Sequence, residues 1–232
     1  MKKSVALAAY NGEKYIAEQI KSILDSLDEN DEIIISDDNP EGKTKSVIDT
    51  IPDPRIVYIE GPKKGVIKNF ENAIKHCTGD VIFLSDQDDI WLPEKVPMVM
   101  EKILGGADLV VHNADITDEN MEFVCTTFQA RGFTRGYYQN ILRNSYMGCC
   151  MAFKKEILPF VLPFPDKIPM HDQWIALIAE EYLNIEVVDI PLIKYRRHSE
   201  NVTGGATTIH QKLSWRINLI KELKKHRKKF EV

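Results

Sequence analysis

Three carboxylates follow an apolar run in the segment DVIFLSDQDDIW, residues 80–91. Asp86, Asp88 and Asp89 come directly after residues 81–85, whose composition is typical of a buried β-strand. Packing several like charges together costs free energy unless a cation or solvent compensates them. Carboxylate oxygens are also the ligands that Mg²⁺ and Mn²⁺ prefer, and these ions often bridge to substrate phosphates. The segment therefore predicts a site that binds a divalent metal or a nucleotide.

Aspartates in two further segments are ambiguous in the sequence alone. Asp37 and Asp38 follow the run EIIIS, and aspartates in such a place often start a turn or cap a helix instead of binding a ligand. Asp172 precedes an apolar-periodic segment in MHDQWIALIAEEYL, where the favoured interpretation is a helix N-cap. The alternative is a general base at the start of this helix, with Trp174 as an apolar wall for a sugar ring.

The elements that must position these side chains alternate between strands and helices. Four strand-like runs are separated by segments of helical periodicity, and they span residues 4–9, 32–36, 55–60 and 81–84. Asn11 is placed to cap the first helix, and the three isoleucines at 33–35 suit a strand covered on both faces. The pattern predicts an α/β protein with a Rossmann-like, mainly parallel central sheet flanked by helices. Ligands of such sheets bind outside the carboxyl ends of the strands, where Tyr10, Asp38 and Asp86 fall.

The composition excludes several classes of protein. A chain of 232 residues, 44% of them hydrophobic, can bury a sizeable core, so it is neither fibrous nor disordered. Its four cysteines lack the spacing of a metal site and two are adjacent, which argues against a disulfide framework and for a reducing compartment. The apolar run near the start is too brief for a signal segment or a membrane span. We therefore expect a cytoplasmic protein.

Charge is distributed unevenly along the chain. The net charge is −5, but residues 206–232 carry eight Lys or Arg against two Glu, so this tail is +6 and the rest is −11. An acidic body does not suit a nucleic-acid-binding protein. The tail has the pattern of a basic amphipathic helix, with Leu213, Ile217, Ile220 and Leu223 along one stripe. Two interpretations remain open: peripheral contact with the anionic inner face of a membrane, or packing against the domain or against a second subunit in a homodimer.

Seven motifs, taken together, point to a family. They are VALAAYNGEKYIAEQIKSIL, IIISDDN, GVIKNFENAI, GDVIFLSDQDDIW, MGCCMAF, HDQW and YRRHSENVTG. Their order and spacing over residues 4–204 resemble those of bacterial family 2 glycosyltransferases, which are inverting enzymes of the GT-A fold. The DQDDIW and YRRHSENVTG forms are most similar to the rhamnosyltransferase-like branch. The resemblance implies a GT-A domain over residues 1–205, with a nucleotide-binding half at 1–105 and an acceptor-binding half at 106–205, followed by the basic C-terminal helix at 206–232.

The resemblance also implies roles for individual residues. Asp172 matches the family's catalytic base, although His171 replaces the Glu that usually precedes it, which puts the acceptor contact in question. Asp88 matches the metal ligand of the family's DXD motif, and His198 matches a position that in some GT-A enzymes ligates the metal or the diphosphate. The nucleotide-binding positions are Ala8, Tyr10, Asp38, Asn69 and Asp86. The positions on the acceptor and sugar side are Trp91, His171 and Trp174.

These roles imply transfer of a sugar from a nucleotide-diphosphate donor, dTDP-L-rhamnose or a UDP-hexose, to a hydroxyl group of a glycan acceptor in cell-surface polysaccharide synthesis. Mn²⁺ or Mg²⁺ would stabilise the leaving diphosphate while Asp172 takes a proton from the attacking hydroxyl. A lipid-linked acceptor would suit the basic tail. Two alternatives remain open. A sugar-nucleotide pyrophosphorylase would have a Gly-rich basic loop where this chain has AAYNGEKY, and a non-catalytic nucleotide-binding module would leave DQDD and HDQW without a role.

Overall fold

The computed structural model of the chain describes residues 1–198 and 208–230, and one β-sheet runs through it. Its strands are β1 (Lys3–Ala9), β2 (Glu32–Asp37), β3 (Ile56–Glu60), β4 (Val81–Ser85), β5 (Ile90–Trp91), β6 (Leu109–Thr117), β7 (Phe123–Thr126), β8 (Met151–Lys154) and β9 (Ile185–Arg196). The helices are α1 (Ile16–Leu24), α2 (Thr44–Ile48), α3 (Val66–His76), α4 (Lys95–Leu104), α5 (Thr127–Arg131), α6 (Tyr137–Leu142), α7 (Leu158–Val161), α8 (His171–Tyr182) and α9 (Ile209–Phe230). The predicted boundary between domain and tail, at residues 205 and 206, lies outside the described residues.

The sheet has a parallel half and a mixed half. Its strand order is β3-β2-β1-β4-β8-β6-β9-β5, with β7 paired to β6. The pairs among β3, β2, β1 and β4 are parallel, as the alternation of strands and helices predicted. In the second half β8 runs antiparallel to both β4 and β6, while β6 and β9 are parallel. Because β8 joins β4 to β6, the two halves share one continuous sheet.

The order of the parallel strands creates a crevice. Strand β1 lies between β2 and β4, so the chain leaves β1 toward one side and later returns on the other. Ala9 pairs with Asp37, and Leu7 pairs with Ser85, so the three strands end at nearly the same level. Open sheets bind ligands at such a reversal of strand order, outside the carboxyl ends. The segments that begin at Tyr10, Asp38 and Asp86 therefore leave the sheet side by side.

Both faces of the sheet are covered, as the isoleucine run predicted. Ile33 and Ile35 pack in the core layer that contains α1 and α4, whereas Ile34 packs in the layer that contains α3, α8 and α9. Successive side chains of a strand point to opposite faces, so a strand buried on both sides is apolar throughout. Fully burying one such side chain stabilises the fold by about 2 kcal/mol. The hydrophobic run thus fixes the position of β2 inside the sheet.

The loop after β1 differs from its prediction. Helix α1 begins at Ile16, and Asn11 is too far upstream to cap it. The backbone of Asn11 has a φ of 51°, a left-handed conformation that asparagine tolerates better than most residues. Its side-chain oxygen accepts a hydrogen bond of 2.7 Å from Asn39 Nδ2. Asn11 therefore links the loops after β1 and β2, which shape the crevice.

None of the helices within residues 1–198 and 208–230 combines the length and the apolar composition that a membrane-crossing helix needs.

Glu32 connects the starts of three strands. It accepts hydrogen bonds from Ser4 Oγ and from the backbone N–H of Thr78, both at 2.6 Å, and pairs with Lys2 Nζ at 2.8 Å. Burial by itself would raise the pKa of Glu32, but the hydrogen bonds from Lys2, Ser4 and Thr78 outweigh it and lower the pKa to about 2. The ionised carboxylate is therefore the form that the folded protein prefers.

We expect Glu32→Gln to lower the free energy of unfolding by about 2 kcal/mol near neutral pH, since it removes charge-assisted hydrogen bonds. The folded-state pKa lies below the unfolded-state pKa, so this stabilisation is complete above about pH 4.5 and is lost as the pH falls toward about 2. Chemical denaturation of wild type and variant over this range measures the difference, with Glu29→Gln, an exposed position, as the control. A difference that stays constant at low pH would contradict the prediction.

Candidate functional site

A cleft of about 1500 Å³ opens at the carboxyl ends of β1, β2 and β4. The loops after these strands line it together with the segment before β8 and the start of α8. A cleft of this size can enclose a ligand larger than most drug-sized molecules. It brings together most of the site residues that the sequence predicted, namely Ala8, Tyr10, Asp38, Asn69, Asp86, Asp88, His171, Asp172 and His198.

Gln87 ties the loop after β1 to the loop after β4. Its side-chain amide accepts from the N–H of Tyr10 at 2.9 Å and donates to the carbonyl of Tyr10 at 3.0 Å. A Cβ atom on Gly12 would lie 2.2 Å from Gln87 Oε1, so only glycine leaves room for this arrangement. With its backbone held in this way, Tyr10 keeps a side chain that is 60% exposed at the cleft. Its ring is therefore accessible to a ligand.

Asp38 organises the loop that borders the cleft. Its Oδ1 accepts from the N–H of Lys63 at 2.6 Å, and its Oδ2 accepts from the N–H of Gly65 at 2.7 Å. Lys63 and Gly65 both have positive φ angles, so the carboxylate helps to hold a tightly turned segment. Each carboxylate oxygen has two lone pairs, which leaves Asp38 able to accept from a ligand as well. Nearby, Asn69 donates to the carbonyl of Ala9 at 2.9 Å and secures the end of β1.

The DQDD carboxylates have different surroundings. Asp86 is partly exposed at the cleft, whereas Asp88 and Asp89 are buried. Burial, followed by the nearby charges of Asp88 and Asp172, raises the pKa of Asp86 to about 7. Asp88 Oδ2 lies 2.8 Å from His198 Nε2. The structure thus brings together the two residues that the resemblance assigned to a metal.

The donor atoms around DQDD fit a divalent cation. Asp89 Oδ1 accepts from the N–H of Arg196 at 3.3 Å, but its buried Oδ2 has no hydrogen-bond partner within residues 1–198 and 208–230. An unsatisfied buried oxygen is unfavourable, and a cation would satisfy it. One side-chain ligand atom from each of Asp86, Asp89 and Cys149 lies within 4.8 Å of the others. The described residues therefore include an acidic group that can hold a divalent metal.

Asp172 lies in the first turn of α8. The N-cap of this helix is Met170, so the favoured interpretation of Asp172 as a cap is wrong. Its Oδ1 accepts from the N–H of Gln173 at 2.5 Å and from Asn144 Nδ2 at 3.0 Å. Burial raises the pKa of Asp172 to about 6, although Arg131 and the hydrogen bonds oppose this effect. A carboxylate in a cleft with a pKa close to neutral is suited to accept a proton.

His171 is buried beside Asp172 with unused hydrogen-bonding capacity. It is 4% exposed, its ring stacks on Phe70 with 4.1 Å between centroids, and neither ring nitrogen has a partner among the described residues. Burial lowers the pKa of His171 to about 3, so the imidazole is neutral near pH 7. A Cβ atom on Gly148 would lie 2.7 Å from Nε2, which explains the glycine of MGCC. The neutral ring of His171 lines the cleft, and both of its buried nitrogens lack the hydrogen-bond partner that buried polar atoms normally have.

The two tryptophans assigned to the acceptor and sugar side lie away from the cleft. Trp91 is 3% exposed and packs against Phe83 and under the Lys95 ammonium. Trp174 is 2% exposed, and its indole N–H donates to the carbonyl of Val161 at 2.9 Å. Both rings are large apolar groups that gain more from core packing than from exposure. Their expected contacts with a sugar are therefore not supported by the structure.

Sequence reasoning missed two buried cations beside DQDD. Arg196 Nε donates to the carbonyl of Asp88 at 3.1 Å, and its guanidinium pairs with Glu18. Lys95 is fully buried and donates to the carbonyl of Cys149 at 2.9 Å. Burial lowers the pKa of Lys95 to about 8, although neighbouring thiol and carboxyl groups oppose the change. The position of Arg196 inside YRRHS was an available signal, whereas a lysine near the start of a helix has no pattern that marks it as buried.

Comparisons with known proteins agree with this geometry. A family model described as Glycosyl transferase family 2 matches residues 4–160 of the chain. The chain is 26% identical over 208 residues to a protein from Escherichia coli named UDP-Glc:alpha-D-GlcNAc-diphosphoundecaprenol beta-1,3-glucosyltransferase WfgD, covering 87% of this chain and 79% of that one. It is 27% identical over 235 residues to the dTDP-rhamnosyl transferase RfbG of Shigella flexneri, covering 93% and 79%.

A solved structure is similar over nearly the whole length. The crystal structure of a TarS fragment from S. aureus in complex with UDP-GlcNAc superposes with a TM-score of 0.72, covering 99% of this chain and 73% of that one. The sequences are 17% identical, so this likeness concerns the fold. Neither a pyrophosphorylase nor a non-catalytic module is needed to account for the matches.

We expect Lys95→Met to lower the free energy of unfolding by about 3 kcal/mol, because it leaves the buried Asp89 and the partly exposed Asp86 without the nearby buried ammonium. Lys102→Met, on the same helix but partly exposed, is the matched control and should change stability by less than about 1 kcal/mol. Denaturation with urea at neutral pH measures both. Equal effects of the two substitutions would show that Lys95 does not balance the carboxylates.

Proposed function

The chain belongs to glycosyl transferase family 2 and has the GT-A fold, and from this premise we propose that it moves a sugar from a nucleotide-diphosphate donor to an acceptor hydroxyl with inversion at the anomeric carbon. The observation that carries the proposal is that the carboxylates of DQDD and Asp172 line the same cleft. An inverting transfer needs a leaving-group site on one face of the sugar and a base on the other. We infer that DQDD serves the leaving-group side and Asp172 the side of the base.

The donor nucleotide occupies the crevice beyond β1 and β2. The exposed ring of Tyr10 lies beside the base, and a carboxylate oxygen of Asp38 accepts from the pyrimidine N3–H. Asp38 is suited to this role because the backbone of Lys63 and Gly65 already orients it. Ala8 and Asn69 line the same cleft, and Asp86 would contact the ribose or hold the metal. The fixed loop then positions the diphosphate next to DQDD.

Asp88 and His198 would hold a divalent cation, and the neighbouring group of Asp86, Asp89 and Cys149 offers further ligand atoms. When bound, Mn²⁺ or Mg²⁺ neutralises charge that develops on the departing diphosphate. Arg196 keeps this part of the cleft in place through its bonds to the backbone of Asp88 and the side chain of Asp89. Asp88 is buried, so a positive charge beside it stabilises the ionised form of its carboxyl group.

Asp172 acts on the acceptor. It takes the proton from an acceptor hydroxyl, whose oxygen forms a bond to the anomeric carbon. The bond between that carbon and the diphosphate oxygen breaks, and its electron pair leaves with the nucleoside diphosphate. Asn144 keeps the carboxylate oriented, and the neutral ring of His171 offers a hydrogen bond to the acceptor or the sugar. This step needs no acid, since the leaving group departs as a stable anion.

The names of the relatives support particular substrates. WfgD is named for a UDP-Glc donor and a diphosphoundecaprenol-linked acceptor, RfbG for a dTDP-rhamnosyl donor, and the TarS structure contains UDP-GlcNAc. We infer that this chain uses a dTDP- or UDP-linked sugar, with dTDP-L-rhamnose as the first candidate, since DQDDIW and YRRHSENVTG resemble the rhamnosyltransferase-like branch. We also infer a lipid-linked glycan acceptor in cell-surface polysaccharide synthesis.

A panel of dTDP- and UDP-sugars tests the donor. We expect one of them to be hydrolysed slowly in the presence of Mn²⁺ or Mg²⁺. Asp88→Asn should lower this rate by at least about 100-fold, because it removes stabilisation of the leaving group. Asp172→Asn should still bind the donor but lose about 100-fold or more in transfer. Asp25→Asn, at an exposed site, is the control. Absence of nucleotide binding with metal present would overturn the proposal.

The pH dependence of transfer tests the base. The folded pKa of Asp172 is about 6, so its proton-accepting form predominates above this pH, and kcat/KM should fall about tenfold per unit below it. Asn144→Ala removes a hydrogen bond that favours the ionised carboxylate, which should move this acid limb to higher pH. A substitution that only loosened the fold would lower the rate without moving the limb. If the acid limb of Asn144→Ala lies at the same pH as that of wild type, Asp172 is not the base.

A further inference from the structure

Helix α9 is docked on the protein by one face. Leu219 and Leu223 are buried in the core layer that contains α8. His226 Nε2 lies 2.6 Å from the carbonyl of Phe160, and Arg227 pairs with Glu181 of α8. The packing interpretation of the tail is therefore correct for this face. Leu223, which the sequence placed on the same stripe as Leu213, belongs to the docked side.

A second face of α9 is exposed and apolar. Leu213, Ile217 and Ile220 are 53%, 45% and 38% exposed. Their spacing of four and three residues places them on one side of the helix. Lys221 and Lys224 lie four and seven residues after Ile217, so they continue the same side, and Lys228 follows at the next turn. No ion pair joins these three lysines to any residue within 1–198 or 208–230. This side of α9 is therefore an apolar stripe with unneutralised positive charge.

The stripe continues onto α6. Arg216 of α9 donates to the carbonyl of Leu142, and Arg227 lies 6.0 Å from the ring centroid of Tyr137. Arg216 is three residues after Leu213 and four before Ile220, so α6 borders the exposed stripe. Leu142 and Tyr138 of α6 are 64% and 76% exposed. We use the name α6–α9 patch for the residues Tyr138, Leu142, Leu213, Ile217 and Ile220.

The patch adjoins the proposed catalytic base. Asn144, which holds Asp172 through a 3.0 Å hydrogen bond, is two residues after Leu142. Two residues of extended chain span no more than about 7 Å. The cleft wall that carries Asp172 is thus continuous with the patch. A molecule bound at the patch would therefore have the part that projects from the patch near Asp172, on the acceptor side of the cleft.

We propose that the α6–α9 patch binds the surface of an anionic membrane and that the cleft receives its acceptor from that surface. Apolar side chains flanked by lysines match a bilayer interface with anionic headgroups, which attracts each basic residue near it. A second copy of the chain is a poorer partner, because two such lysine-rich faces would repel each other. Only the nature of the acceptor rests on the proposed function, since the binding of the surface does not depend on catalysis.

Co-sedimentation of the full chain with vesicles tests the proposal. We expect binding to vesicles of phosphatidylcholine with phosphatidylglycerol, little binding to phosphatidylcholine alone, and weaker binding as the salt concentration rises. The double variant Ile217→Glu/Ile220→Glu should bind at least about tenfold more weakly. Leu104→Glu is the matched control, since Leu104 is 71% exposed on α4, which packs on the opposite face of the sheet.

The charge of the patch is tested separately. Replacing Lys221, Lys224 and Lys228 by Ser should weaken binding at least about tenfold, whereas replacing the same number of lysines at Lys21, Lys43 and Lys102 should not. Both triple variants have the same net charge, so a difference between them reports position. Circular dichroism of every variant verifies that the fold is retained. Equal binding by the two triple variants would overturn the proposal.

Two further outcomes separate this proposal from the proposed function. Donor hydrolysis in solution should be the same for wild type and Ile217→Glu/Ile220→Glu, and Asp172→Asn should bind vesicles as wild type does. Wild type that hydrolyses donor but ignores anionic vesicles overturns the membrane proposal alone. Vesicle binding without donor binding overturns the transferase alone. A dimer that Ile217→Glu/Ile220→Glu dissociates, in the absence of vesicle binding, would identify the patch as a subunit interface.

Discussion

The burial of carboxylates at the carboxyl end of β4 is the constraint on which the site depends. Asp88 and Asp89 are buried next to Asp86, and their mutual repulsion must be compensated. Lys95 supplies a buried cation that bonds to the carbonyl of Cys149, while Arg196, at the end of β9, and His198, just after it, contact Asp88. The pairing of β5 with β9 brings that end into place, since Ile90 and Trp91 follow DQDD directly. A bound divalent cation would complete the same balance. The same carboxylates therefore govern both the candidate metal site and the stability of this edge of the sheet.

The part of the cleft around the start of α8 keeps Asp172, the proposed base, buried with a raised pKa. Asp172 is buried, which raises its pKa, and Asn144 limits this rise with a hydrogen bond. His171 stays neutral beside it, so it adds no charge that would lower the basicity of the carboxylate. Helix α8 also supports α9 through Glu181 and Arg227. Helix α8 therefore connects Asp172, the proposed base, with the surface at which we propose that the acceptor lies.

Much of this arrangement could be predicted from the sequence because the alternation of strand and helix that produces it recurs along the chain. Strands buried on both faces read as continuous apolar runs, and the carboxyl ends of parallel strands meet at one edge. Polar residues placed just after such runs, including Tyr10, Asp38 and Asp86, therefore fall in one cleft. Tryptophans next to these motifs gave a misleading signal. Tryptophan is a residue type that suits contact with a sugar ring, but burial of an indole is favourable enough that Trp91 and Trp174 lie in the core.

The amino-acid sequence by itself determined the alternation of strands and helices, the edge of the sheet where carboxylates gather, and the family to which the motifs belong. These properties depend on local periodicity and on order along the chain. Only the tertiary structure decided that Lys95 and Arg196 are buried beside DQDD, that Asn144 orients Asp172, and that α9 docks by one face and exposes another. The physical reason is that burial and pairing depend on contacts between residues far apart in sequence, which no local pattern records.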